Sequence, residues 1–200
     1  MDFRNAKELL KVCQEQNLSI SAVMLQRELT EGEQDPEETD RKMDRVLEIM
    51  KSAASTPIHT PVKSMGGLIG GEAKKISDHK DAGKSLCGDL LERAVIYAMA
   101  TLETNASMGV IVASPTAGSA GIVPGLLLAL QETYDLSDEQ IKQGLYNASA
   151  IGYLAMRNAT VAGAVGGCQA EVGIASAMAA SATVELMGGS PEQSLAAAST

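Results

Sequence analysis

Between Ala170 and Met187 the sequence is dense in alanine, serine and glycine. A helix made of such residues has little bulk on any face, so a neighbouring helix can lie very close to it. The rest of the chain points the same way. Hydrophobic residues are 45% of it, yet it holds one Phe, four Tyr and no Trp. Its core must be filled by Ala, Leu, Ile, Val and Met, and interiors pack to near-crystalline density only if those small shapes interlock. Closely packed helices do this, so an all-α fold is expected, a compact multi-helix domain with glycine-rich loops.

Charge divides the chain. Residues 104–200 carry nine charged side chains of the 41 in the sequence, leaving 41 − 9 = 32 for residues 1–103. The first half reads as solvated helical surface. The second reads as buried core, or as surface that a partner protein covers. Residues 104–131 are free of charge and long enough to span a bilayer. Asn105, Pro115, Pro124 and the glycines and threonines between them exclude a transmembrane helix there. A net charge of −9 and a pI near 4.7 argue against a nucleic-acid partner. Cys13, Cys87 and Cys168 show no CxxC spacing, and no apolar signal segment follows the first residues, so a reducing, cytoplasmic setting is expected.

Three regions follow in order. Residues 1–54 form a helical layer. One helix runs from Asp2 or Asn5 to about Gln16, and a second carries Ile20, Val23, Met24 and Leu25. A third starts at Asp35-Pro36-Glu37-Glu38 and runs to about Ala54. Residues 55–83 read as an irregular segment rich in glycine, lysine and histidine. It holds His59, His79, Lys74, Lys75 and two Gly-Gly pairs, and a loop this long is commonly functional. Its end, 78–85, fails as a phosphate loop because Asp78 stands where glycine is needed. Residues 84–200 form a core rich in small residues. A helix over 85–103 places Leu86, Leu90, Leu91, Ala94, Val95, Ala98 and Leu102 on its apolar face. Residues 108–113 are a strand or a buried helical turn, and a helix covers 122–134. Ser137-Asp138-Glu139-Gln140 is a capping box for a helix to about Met156, and Ser190-Pro191-Glu192-Gln193 caps a last helix.

Two stretches carry chemistry. Ser114-Pro115-Thr116-Ala117-Gly118-Ser119-Ala120-Gly121 combines hydroxyls, small residues and a helix start expected at Ser119, which suits a carboxylate or phosphate. A plain capped turn is the other reading. Asn158-Ala159-Thr160 leads to Gly166-Gly167-Cys168-Gln169-Ala170-Glu171. There a thiol opens a helical run, where the helix dipole favours negative charge. A cluster or metal ligand, a nucleophile and a small buried cysteine all remain open on these residues alone.

Together the two motifs resemble the alpha subunit of bacterial iron–sulfur L-serine dehydratase, over most of residues 45–200. Met65-Gly66-Gly67-Leu68 and Gly71-Glu72-Ala73-Lys74-Lys75 resemble that family's lysine-bearing segment. The resemblance implies an all-α catalytic domain whose glycine-rich loops form the active site. It also implies a 4Fe–4S cluster on three cysteines and conversion of L-serine to pyruvate and ammonia without pyridoxal phosphate. A beta subunit completes the site, within an oligomer. On this basis Cys168 is a cluster ligand, and Ser114, Thr116, Ala117, Gly118, Ser119 and Asn158 bind substrate. Lys74, Lys75 and His79 are the candidates for the base. The family's other ligands lie in a later cysteine-containing stretch, and neither Cys13 nor Cys87 sits in a matching motif. The expectation is a chain truncated before that stretch, with an absent or incomplete cluster and no activity alone. A related iron–sulfur L-cysteine desulfidase and a non-catalytic helical partner-binding module are the alternatives.

Overall fold

The computed structural model describes residues 2–32, 35–85 and 87–200. Regular structure among them is helical throughout. The helices are α1 (Ala6–Gln16), α2 (Ile20–Glu31), α3 (Pro36–His59), α4 (Glu72–Asp81), α5 (Asp89–Ala106), α6 (Ile122–Tyr134), α7 (Asp138–Asn158), α8 (Gly163–Leu186) and α9 (Pro191–Ala198), with one 3-10 turn, Ala117–Ser119. Local chemistry sets the boundaries. Asn5 and Ser19 cap α1 and α2 by accepting N–H bonds from Glu8 and Ala22. The expected capping box forms at Ser137 with Gln140, and the expected cap at Ser190 forms a box as well, with Gln193.

The chain divides into two compact units. The first comprises Met1–Arg45 and Ser137–Thr200. In it α7 packs against α2 and α8, and α8 against α9. Its core gathers Phe3, Leu9, Cys13, Ile20, Val23, Met24, Tyr146 and Ala150. Glu185 ties it together, accepting from the backbone N–H of Ile20 at 3.0 Å and from Asn147 Nδ2 at 2.7 Å.

The second unit is Val46–Leu136. Here α5 packs against α4 and α6. Gly121 and Gly125 let α6 approach the α5 backbone at Ala98 and Ala94. This contact re-sorts the face expected for α5. Small Ala94 and Ala98 meet α6, while Leu91 and Val95 are exposed and Glu92, Ile96, Ala100, Thr101 and Glu103 are buried. Leu86, expected on that face, lies outside the described residues.

Three expectations are corrected. The third helix does not stop at Ala54; it continues through a buried Pro57 to His59. Residues 72–81 are not irregular but form α4, so the loop narrows to 60–71. Residues 108–113 are neither strand nor buried turn: Met108 takes φ 65° and, like Val110, is exposed. Among the described residues no helix is long and apolar enough to cross a membrane.

Candidate active site

The last turn of α5 holds two of the chemistry-bearing segments. Glu103 is 1% exposed. Its Oε1 accepts from the Ala73 N–H at 2.8 Å and its Oε2 from the Gly71 N–H at 3.1 Å. Helix starts leave N–H groups without intrahelical acceptors, and a carboxylate there is favoured by the helix dipole. Gly71 caps α4 with no side chain to offer, so Glu103 serves as the cap from another helix. Gly70, at φ 145°, lies against the Val62 carbonyl where a Cβ would collide. Its N–H donates to Glu72 Oε2 at 2.7 Å, and this bond holds the Glu72 carboxyl below the usual carboxylate range.

This cap sets the first turn of α4, which carries Lys74 and Lys75. Lys74 Nζ pairs with Asp78 at 2.7 and 2.9 Å. Lys75 is exposed, and its charge acts on the Glu72 carboxyl, helping to hold it below the usual range. His79, also exposed, lies in the last turn, about 6 Å further along the helix axis than Lys75.

Two residues beyond Glu103, Asn105 Nδ2 donates to the Ala117 carbonyl at 3.3 Å. Within the 114–121 loop the Ser114 and Ala120 N–H groups donate to the Thr116 and Ala117 carbonyls, and hydroxyls add further bonds. Ser119 Oγ donates to the Ser114 carbonyl at 3.1 Å and lies 3.3 Å from Thr116 Oγ1. Ser114 and Ser119 are buried, Thr116 is half-buried, and Ala117 and Gly118 are exposed. Two of the three hydroxyl residues expected to bind ligand therefore point inward, and the outer rim is Thr116, Ala117 and Gly118. The helix start also shifts: Ser119 ends the 3-10 turn and α6 begins at Ile122. The same end of α5 thus carries Lys74, Lys75 and the 114–119 loop.

Asn158 and Cys168 belong to the other unit. Asn158 closes α7, its Nδ2 donating to the Arg4 and Leu154 carbonyls, both at 2.8 Å. Gly167 interrupts α8 at φ 77°, ψ 169°, a conformation open to glycine, so Cys168 begins the helical run that follows. Cys168 is exposed, which removes the reading of a buried structural cysteine.

An iron–sulfur cluster needs several thiolates at one place. Cys168 suits one ligand position by exposure and by its helix start. Cys13 is buried, and burial pushes its thiol up to about 11; Cys87 lies in the other unit. Among the described residues of the first unit Cys168 is the one exposed thiol, which does not by itself make up a cluster site. The group there that could hold a metal ion is Asp40, Asp44 and Glu139. Hard carboxylate oxygens do not match a cluster, and Lys142 Nζ sits among them at 2.6, 2.9 and 2.7 Å.

A cavity of about 340 Å³ in the second unit is lined by His59, Lys80, Arg93, Tyr97 and Glu132, among others. It contains none of the expected site residues. Its cations are committed, Lys80 to Asp89 and Arg93 to Asp89 and Glu132.

The sequence model of the family described as "Serine dehydratase alpha chain" matches residues 15–200. The chain is 47% identical over 192 residues to "Probable L-serine dehydratase, alpha chain" of Bacillus subtilis (strain 168), covering 96% of this chain and 64% of that one. It is 42% identical over 197 residues to "L-serine dehydratase, alpha chain" of Peptoniphilus asaccharolyticus, covering 98% and 68%. It is 34% identical over 205 residues to "L-serine dehydratase 1" of Escherichia coli (strain K12), covering 98% and 44%. This all-helical chain belongs to the serine dehydratase alpha chain family. It spans about two thirds of the two alpha chains and under half of the Escherichia coli protein.

Glu103 and Asn105 were not legible as site residues. In the sequence Glu103 only ends the helix over 85–103, and Asn105 only interrupts a charge-free stretch. Their partners lie 30 and 12 residues away.

Proposed function

We propose that the chain is the alpha part of an L-serine dehydratase, eliminating water from L-serine to give pyruvate and ammonia without pyridoxal phosphate. The observation that supports this beyond family membership is the shared end of α5, where Glu103 holds the lysine-bearing helix start and Asn105 holds the 114–121 loop.

In this reading the rim of Thr116, Ala117 and Gly118 binds the serine carboxylate through backbone N–H groups and the Thr116 hydroxyl. Ser114 and Ser119 keep the loop in shape from within. A base removes the proton from Cα while the Cβ–O bond breaks and hydroxide leaves as water. Aminoacrylate results, tautomerises to the imine and is hydrolysed to pyruvate and ammonia. Lys74, Lys75 and His79 are the candidate bases from this chain. Asp78 engages the Lys74 ammonium, whereas Lys75 and His79 are exposed, with Lys75 in reach of the Glu72 charge.

A 4Fe–4S cluster is the proposed cofactor. Cys168 is one thiolate donor, and the others come from residues other than Cys13 and Cys87. Asn158 retains a proposed substrate-binding role through the oxygen of its amide. A beta subunit is the proposed partner, in a cytoplasmic oligomer, and residues 1–200 alone turn over no serine.

Thr116→Val tests the carboxylate site. Loss of one hydrogen bond to a charged ligand is worth about a tenfold change in affinity. The complete two-subunit enzyme carrying this substitution should show the KM for L-serine raised about tenfold, whereas an unchanged KM would remove the loop from substrate binding.

A further inference from the structure

We infer that Glu103 is a positioning residue for turnover, aiming the first turn of α4, and Lys75 in it, toward the substrate held by the 114–119 loop. This rests on the proposed serine dehydratase reading.

Glu103 is almost wholly buried, yet it does no work for its own helix. Both carboxylate oxygens leave α5 and accept the Gly71 and Ala73 N–H groups. A second carboxylate, Glu72, closes the same corner on the Gly70 N–H and also meets the Glu103 side chain. Two acidic side chains thereby hold the Gly70, Gly71 and Ala73 amides at the turn and helix start. A helix that only needed a cap could take one from a serine or asparagine at its own N-cap, as α2, α7 and α9 do. Here glycines occupy that position, and the cap comes from the helix that also grips the loop through Asn105. Residue 75 is two positions beyond Ala73. Its place relative to the loop is therefore set by one short path, Ala73–Glu103–Asn105–Ala117.

Gln at 103 keeps the size of the side chain but has one acceptor oxygen where the carboxylate has two. It can keep one amide and must drop the other. The helix start then shifts by a fraction of an ångström to an ångström, a displacement that costs catalysis on the order of 10- to 100-fold. Substrate binding at the loop rim is untouched, so the loss falls on kcat and leaves KM for L-serine within about twofold.

Glu103→Gln is measured in the complete two-subunit enzyme, well below its unfolding temperature, alone and combined with Lys75→Met. The expected result is a kcat loss of at least about tenfold in the single variant. In the Lys75→Met background the same change should have little further effect, because residues that act through one another do not add. Glu103→Asp, which keeps two acceptor oxygens, should recover part of the loss. An unchanged kcat would overturn the proposal, as would an equal loss in both backgrounds, which marks general destabilisation. If the unaltered enzyme turns over no L-serine, the functional reading itself fails, and the role in turnover assigned to Glu103 falls with it.

Discussion

Asp2 fixes the beginning of the chain through three donors at once. Tyr153 Oη lies at 2.9 Å, Arg27 Nε at 3.1 Å and an Arg157 nitrogen at 2.9 Å. Arg27 in turn stacks over the Tyr153 ring at 3.9 Å, and Phe3 meets that ring edge-on. The Tyr153 hydroxyl, opposed by burial and joined by the two arginines, holds the Asp2 carboxyl well below the usual carboxylate range. A depressed folded-state value contributes stability above the unfolded value of about 4, and that stability is lost as pH falls through the folded value. Asp2 is partly exposed, so solvent screening limits the contribution to about 1 kcal/mol or less. Asp2→Asn should therefore lower stability at pH 7, and the gap to the unaltered chain should narrow below about pH 4. Denaturant titrations at the two pH values check this; a gap that stays constant would contradict it. Neither this anchor nor the Glu103 cap could be read from spacing. Asp2 and Tyr153 are 151 positions apart, and Glu103 meets amides 30 and 32 positions away. Sequence periodicity reports only on neighbours within a turn or two.

The helices themselves were largely legible, because their ends are set locally. Asn5, Ser19, Ser137 and Ser190 are caps whose partners lie three residues on. Where tertiary contact decides, the reading failed. Pro57 reads as a helix breaker yet is buried inside α3, whose stop is marked by Pro61 just beyond His59, and the cap of α4 is supplied by α5. The buried face of α5 was misjudged because α6 is glycine-bearing: close approach rewards Ala94 and Ala98 and leaves Leu91 and Val95 in solvent. That close approach can be tested. A Cβ on Gly125 would meet the Ala94 carbonyl oxygen at 2.8 Å and the Ala98 Cβ at 3.0 Å. Backbone must move to admit it, and overpacking of this kind costs about 1–3 kcal/mol. Gly125→Ala should lower the unfolding midpoint in denaturant with little change in slope. No loss of stability would mean that α5 and α6 are not so closely packed. The two motifs 114–121 and 158–171 were visible as sequence, and so was Cys168 at a helix start. Which groups of the loop face outward was not, since the inward turn of Ser119 depends on its bond to the Ser114 carbonyl.

At the scale of the whole molecule, the proposal joins family membership to the geometry of one unit. Membership rests on a match over residues 15–200 and on 42–47% identity to two alpha chains. The geometry rests on α5, whose last turn holds both the lysine-bearing helix and the hydroxyl-rich loop. We propose on that basis that L-serine is held by its carboxylate at the loop and deprotonated from the α4 side, in an enzyme completed by a beta subunit and a cluster. The direct measurement is product formation by the complete two-subunit enzyme, reconstituted anaerobically with iron and sulfide and offered L-serine or L-cysteine. The account predicts pyruvate and ammonia from L-serine, a thiolate-to-iron absorption band, and loss of both in Cys168→Ser. Sulfide from L-cysteine with no turnover of L-serine, or no band and no turnover of either, would contradict it.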